Sequence, residues 1–203
     1  MGTSARIPSG ASPSELAEAA RTCTACELYK DATQTVFGEG PDDAKVVLVG
    51  EQPGDMEDIA GRPFVGPAGK LLDRALGDAG LDRGEVYVTN AVKHFRFTLR
   101  GKRRIHATPG REHMEACRPW MDAEFAVLTP QVVVCLGAVA VKALLGSKYR
   151  VTKDRGQLLP FNERSQAVIT THPSAVLRMP GEERKVAYDN LVADLRVAAE
   201  AVA

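Results

Sequence analysis

The sequence carries no surplus of charge: Lys plus Arg number 26 and Asp plus Glu number 26. Balance of this kind excludes a chain that coats a polyanion through net charge, so any such attraction must come from local clustering. Long apolar runs are missing too. No stretch approaches the length that spans a bilayer, and the opening MGTSARIPSGASPS lacks the apolar segment of a secretory signal. The myristoylation pattern asks for Ser or Thr at the sixth position, where Arg6 stands, which argues against a lipid anchor. A cytosolic protein, with no membrane partner, is the expectation. Cysteine is sparse: in a reducing compartment Cys23, Cys26, Cys117 and Cys135 are thiols or metal ligands rather than disulfides. Internal repeats and low-complexity tracts are absent.

What is present suffices for one sizeable core and is short for two, at 203 residues and 44% hydrophobic content. Residues 1–13, rich in Ser, Gly and Pro, read as a flexible arm, and 14–203 as a single domain. SPSELAEAARTC reads as a short helix capped by Ser12 or Ser14. Four Val-rich runs of strand length follow, Lys45 to Val49, Glu85 to Thr89, Gln131 to Leu136 and Gln166 to Thr171. Helical patterns lie between them: LLDRALGDAG, REHMEACRPWMDAEFAVL, AVAVKALLG and a last helix from about Glu182. Strand alternating with helix predicts an α/β fold with a four-stranded parallel sheet covered on both faces. The unusual residues fall just beyond the strands: GEQPGD, Asn90, Gly137 and His172-Pro173-Ser174. Open α/β sheets bind ligands at the carboxyl ends of their strands, so these segments should converge on one crevice.

Within GEQPGD, Gly50, Pro53 and Gly54 surround Glu51, Gln52 and Asp55, and small residues let a ligand approach the backbone. It is neither the dinucleotide fingerprint nor the phosphate loop, and an ordinary acidic turn would use the same residues. In GRPFVGPAGKLL, Phe64 sits between Pro63 and Gly66, where a ring can stack on a base or simply plug the core. GKRRIHATPG sets Lys102, Arg103 and Arg104 directly before His106, with Arg100 upstream. These cations can neutralise phosphates locally, although a short basic run is usually a solvated loop. His106 counts against that bland reading, because a neutral imidazole is nucleophilic at physiological pH. His172 can donate to a developing anion or satisfy a strand end.

Cys23-Thr24-Ala25-Cys26 follows a helix rather than a strand, which disfavours a thioredoxin-like redox pair. A metal site needs two more ligands from Cys117, Cys135, His94 and His113. Cys135 lies inside VVVCLG and reads as a buried small hydrophobe, while His94 and Cys117 flank the basic segment. On chemistry alone, zinc and an iron–sulfur cluster are comparable choices.

Taken together, these segments resemble the iron–sulfur uracil-DNA glycosylases called family 4, and most closely their UdgX-type branch. The resemblance runs from Cys23 to about Arg178. It rests on Cys23 and Cys26, Gly50 to Gly54, Gly61 to Gly69, Thr89 to Lys93, and His172 to Ser174, five motifs in the family's order. Two departures from ordinary members are similar to the UdgX-type branch, as is Gln52 with Asp55. His94 stands where the third cluster cysteine is usual, and the KRRIH segment is inserted at Lys102 to His106.

The resemblance implies a three-layer α/β/α domain and a 4Fe-4S cluster ligated by Cys23, Cys26, His94 and Cys117. It also implies excision of uracil from DNA, including single-stranded DNA, by a monomer that releases free uracil. Phe64 would stack on the base, Asn90 would read its Watson–Crick edge, and Gln52 and Asp55 would complete the uracil site. His172 would stabilise the leaving anion. Lys102, Arg103 and Arg104, with Ser174 and Arg178, would hold the DNA. His106 would attack the anomeric carbon, with Glu51 taking up the displaced proton, leaving a covalent adduct in place of ordinary hydrolysis.

Overall fold

The computed structural model describes residues 6–203. Its chain order is α1 (Pro13–Ala20), β1 (Val46–Gly50), α2 (Asp55–Ala60), α3 (Pro67–Asp78), β2 (Val86–Asn90), β3 (Phe97–Arg100) and β4 (Arg103–His106). There follow α4 (Arg111–Leu128), β5 (Val132–Leu136), α5 (Ala138–Leu145), α6 (Val151–Asp154), β6 (Leu158–Pro160), β7 (Gln166–Thr170), α7 (Pro173–Arg178) and α8 (Gly181–Glu200).

The main sheet runs β2-β1-β5-β7-β6. Its first four strands are parallel, in the register Val46 to Val86 and Val132, and Val132 to Gln166. Strands β1, β2 and β5 are buried at every position, as a parallel strand covered on both faces requires. Their side chains divide with period two. Val46, Leu48, Val88, Val134 and Leu136 pack with Leu72 and Leu76 of α3 and Leu191 and Leu195 of α8. Val47, Val49, Val133, Cys135 and Ile169 face the other way, against Met121 and Leu128 of α4 and Ala140 and Val141 of α5. The result is the three-layer α/β/α arrangement expected.

Two elements were not legible beforehand. A fifth strand, β6, pairs antiparallel on the β7 edge; it has three residues, one of them Pro160, too few to show a period. The basic segment is a hairpin, with β3 and β4 antiparallel in a sheet of their own and Gly101 at φ 62° supplying the left-handed turn position.

Helix α1 begins at Ser12, whose side chain accepts from the Glu15 amide while the Glu15 carboxylate accepts from the Ser12 amide at 2.8 Å. Of the arm expected over 1–13, the first five residues lie outside the described ones. Ala11 is buried, and Ile7 packs on the cluster that α1 forms with Phe37 and Trp120. Among the described residues, no helix is long and apolar enough to cross a membrane.

Candidate active site

The ends of β1, β2 and β7 converge, as the sequence pattern predicts, whereas Gly137 after β5 lies behind His172 and outside the lining. A cleft of about 580 Å³ opens there, lined among others by Glu51, Phe64, Asn90, His106, His172 and Arg178. Glycine makes this closure possible. A Cβ on Gly50, the last residue of β1, would lie 2.4 Å from Asn90 Oδ1 and 2.7 Å from Phe64 Cζ. Phe64 itself has φ 56°, a conformation that L-residues adopt only when surroundings enforce it. One enforcing contact is the approach of its carbonyl to Gly69, where a Cβ would stand 1.6 Å from that oxygen.

Behind Asn90 is a buried ion pair. Lys93 Nζ lies 2.5 Å from Glu124 Oε2 and donates to the Asn90 carbonyl at 3.0 Å and to Thr89 Oγ1 at 2.6 Å. Glu124 also accepts from Tyr87 and Thr89. With both charges fully paired, the end of β2 is pinned, and the Asn90 carboxamide is presented from a rigid base.

The titratable groups of the cleft are tuned by burial. His172 Nδ1 accepts from the Ser174 amide at 3.1 Å and meets Ser174 Oγ at 2.8 Å. An accepting Nδ1 leaves the proton on Nε2, so the neutral ring is a donor. Desolvation, with the charges of His106 and Arg178, drives its pKa down to about 4. The ring stacks near Phe64, centroids 6.2 Å apart. His106, at the end of β4, places Nε2 3.4 Å from Glu51 Oε1, and its side chain is 48% exposed. Desolvation and Arg178 hold it below the usual imidazole range, so it is neutral at neutral pH. Desolvation raises Glu51, opposed by Arg178, and its buried Oε1 has no hydrogen-bond partner. An unpaired acceptor beside a neutral imidazole can receive a proton.

Four expected site residues, Gln52, Asp55, Arg104 and Ser174, have side-chain partners within the fold. Gln52 lines the cleft, and it donates to the carbonyls of Arg96 and Ala107 at 3.0 and 3.1 Å and accepts from the Arg96 amide at 3.0 Å, so its carboxamide staples the base of the hairpin. Arg104 is not free for phosphate. It reaches Asp55 Oδ1 and Asp58 Oδ2 at 2.6 Å each, and stacks over Phe95 and Phe97. Asp55 is consequently a partner of Arg104, outside the cleft lining. Ser174 lines the cleft but its hydroxyl is occupied in orienting His172. Lys102 and Arg103 are exposed, with no carboxylate partner among the described residues. Arg178 is exposed at the cleft rim.

For the metal ligands, Cys23 and Cys26 lie close enough to Cys117 that their charges are felt there. Burial pushes Cys117 up to about 12, with Cys26 and Cys23 adding to the rise. Cys26 is raised by burial, Glu27 and Cys23. Trp120 Nε1 donates to Cys23 Sγ at 3.3 Å, and the Lys93 amide to Cys117 Sγ at 3.5 Å. His94 Nε2 meets Thr35 Oγ1 at 3.1 Å, whereas its Nδ1 is buried without a partner. No group of three or more His, Cys, Asp or Glu among the described residues is already gathered in metal-holding geometry. The donor set still suits a thiophilic centre: three thiols, two of them acting on Cys117, and one orphaned imidazole nitrogen. Cys135 is fully buried within β5.

Sequence reasoning missed Asp58 and Glu57. Asp58 is fully buried and accepts from the Thr33 amide at 3.0 and 3.1 Å as well as from Arg104. Glu57 lines the cleft and accepts from the Gly66 amide at 2.9 Å. Their only local signal is acidity in the first turn of α2, which any surface helix can share.

A family model described as the uracil DNA glycosylase superfamily matches residues 37–196. The chain is 36% identical over 178 residues to a type-4 uracil-DNA glycosylase of Thermotoga maritima, covering 87% of this chain and 89% of that one. It is 39% identical over 173 residues to a type-4 uracil-DNA glycosylase of Pyrobaculum aerophilum, covering 82% and 85%. A type-4 uracil-DNA glycosylase of Sulfurisphaera tokodaii is 34% identical over 167 residues, covering 78% and 73%. Five motifs in order, a cleft at the ends of parallel strands and these relatives agree: the chain belongs to the uracil-DNA glycosylase superfamily, within its type-4 family.

Proposed function

We propose that this protein excises uracil from DNA and captures the resulting abasic sugar on His106, in the manner of the UdgX-type branch. The observation that carries the reading is the placement of His106 by an inserted hairpin, 3.4 Å from Glu51 at the cleft.

Uracil must leave the base stack to reach this cleft, or be presented on a single strand. Phe64 stacks on it and Asn90 reads its edge. As the bond between the sugar C1′ and uracil N1 breaks, its electron pair goes to uracil, and the Nε2–H of His172 donates to the carbonyl oxygen that gains charge. The unprotonated nitrogen of neutral His106 then forms a bond to C1′. The ring, now cationic, gives its remaining N–H proton to Glu51, directly or through water, and the departed uracil takes its proton from solvent. Lys102, Arg103 and Arg178 hold the backbone so that C1′ lies within reach of the imidazole.

Cys23, Cys26, His94 and Cys117 would hold a 4Fe-4S cluster, which supplies a structural cross-link rather than a reaction step. The orphaned Nδ1 of His94 and the nearness of Cys23 and Cys26 to Cys117 support this choice. The reading also covers single-stranded substrate, free uracil as product and a monomer acting in the cytoplasm.

The test incubates the protein with a uracil-containing single strand and resolves it on a denaturing gel beside His106→Ser. A slow band with the unsubstituted protein alone is expected. Multiple turnovers of uracil release with no such band would leave an ordinary type-4 hydrolase, and absence of free uracil would leave a DNA-binding module. Iron and acid-labile sulfide, expected in the protein and lost in Cys117→Ser, test the cluster.

A further inference from the structure

Three ion-paired carboxylates among the described residues are nearly inaccessible. Glu124, Asp58 and Asp194 are 1%, 0% and 4% exposed, and the next, Glu51, is 22% exposed. The first stands behind Asn90 and the second holds the hairpin of His106. Asp194, on α8, lies under the third strand end of the cleft. Its Oδ2 accepts from Thr170 Oγ1 at 2.6 Å and from Arg155 Nε at 3.0 Å, and a second Arg155 nitrogen is 2.9 Å away. Arg155 also donates to the Asn190 carbonyl at 2.7 Å, which ties the pair to α8. Thr170 is fully buried, the last residue of β7 and two before His172.

Stability alone is a poor reason for such a pair. Burial pushes the Asp194 carboxyl up, opposed by the Thr170 hydroxyl and Arg155, so a charge is held where solvation is lost. Apolar side chains of similar volume would serve the core as well or better. They would not fix a strand end in one position, because apolar burial is non-directional and a hydroxyl–carboxylate bond is not.

The backbone around Thr170 carries that position to the cleft. The Thr170 carbonyl accepts from the Gly137 amide at 2.9 Å, and a Cβ on Gly137 would lie 2.8 Å from His172 Cβ, so His172 rests directly on that turn. From the β6 side, the Gly156 amide donates to the Ile169 carbonyl at 2.9 Å, and a Cβ on Gly156 would stand 2.5 Å from Asp194 Oδ1. A shift of Thr170 therefore reaches His172 with little to absorb it. Donation from Nε2 to a developing anion is sensitive to such shifts, since a hydrogen bond weakens steeply as it leaves its line.

We infer that Asp194, oriented by Arg155, is a positioning residue that holds Thr170 and through it sets the reach of His172 Nε2 toward the departing uracil. The inference rests on the role of His172 proposed above. Its test is single-turnover base release from two single strands, one containing uracil and one 5-fluorouracil. Fluorine withdraws electron density, so the second base leaves as a more stable anion and needs a donor less. Thr170→Val removes the hydroxyl at nearly constant volume and should slow uracil release by about tenfold, the scale of one hydrogen bond to a charged group, but 5-fluorouracil release by less than about threefold. Thr170→Ser keeps the hydroxyl and should stay within about twofold of the unsubstituted protein on both strands. On a His172→Ala background, Thr170→Val should add less than about twofold, because no ring is left to misplace. Asp194→Asn, of the same shape but uncharged, should likewise slow uracil more than 5-fluorouracil. Losses indifferent to the base, equal losses in Thr170→Val and Thr170→Ser, or a full further loss on the His172→Ala background would mark general loosening and overturn the inference. Unchanged release by Thr170→Val where His172→Ala is slow would overturn the anchor alone. Full-rate release by His172→Ala would remove the proposed role of that ring, and the anchor with it.

Discussion

Replacing Arg104 with alanine should loosen the hairpin that carries His106 while the domain stays folded. The guanidinium has two carboxylate partners of unequal weight. Asp55 is about half exposed, at 51%, so that contact contributes within the modest range of surface pairs. Asp58 is fully buried, and removing its cation strands a charge that two bonds from the Thr33 amide compensate only in part. Breaking a buried pair costs about 3–5 kcal/mol, and the retained amide bonds put this case near the lower end, at about 3 kcal/mol. That loss falls on docking of the hairpin, because its strands form a separate sheet with no ladder to the main one. At about 1.4 kcal/mol per decade, 3 kcal/mol lowers the docking equilibrium constant by about 100-fold, which bounds the loss in the rate of adduct formation at about 100-fold. Phe64, Asn90 and His172 lie on other elements, so uracil release should change by less than about fivefold on the same scale. Single-turnover kinetics on a uracil-containing strand measure both, with adduct read on a denaturing gel and free uracil by chromatography. Equal losses in the two rates, or no loss in adduct formation, would refute the idea that this ion pair positions the imidazole.

Gly50→Ala should reduce uracil release by more than about tenfold and also lower the thermal midpoint, because its Cβ displaces the buried Asn90 carboxamide and the ring of Phe64, a core residue. Lys93→Met leaves Glu124 buried with hydroxyl partners alone, and urea unfolding should record a loss of about 3–5 kcal/mol. The pH dependence follows from the two histidines. With the His106 pKa held below 6.5, adduct formation should be flat near neutrality and fall only at a midpoint below 6.5; a midpoint at or above 6.5 would count against a desolvated nucleophile. His172 falls from the usual 6.5 to about 4 on folding, so the unfolded chain binds the extra proton between those values. Its stabilising contribution is complete above pH 6.5 and lost as pH drops to about 4, a difference of about 3 kcal/mol. Comparing the pH slopes of urea stability for the protein and His172→Asn isolates that part, and identical slopes would exclude it.

How much could be read in advance differed between elements. Strands β1, β2, β5 and β7 announce themselves by continuous Val-rich runs, since a parallel strand buried on both faces tolerates little else. Their order was enough to predict a crevice at their carboxyl ends, and Glu51, Phe64, Asn90, His106, His172 and Arg178 all line it. Strand β6 escaped notice because three residues cannot display a period. The hairpin looks like a loop in the sequence because four of its residues are cationic, three of them exposed, and charge masks the alternation that marks a strand. The partners of Arg104 and Gln52 are hidden in the sequence for a related reason. A free cation and a paired one are spelled alike, and Arg104 finds Asp55 and Asp58 only across 49 and 46 residues of chain.

By itself, then, the sequence determined the layered sheet, the residues gathered at its strand ends and the family, because burial demands and motif order are written locally. Tertiary structure alone decided which of those residues stay free to meet a ligand. A side chain's hydrogen-bonding capacity is spent on whichever partner folding brings within 3 Å, and that partner is set by the path of the whole chain.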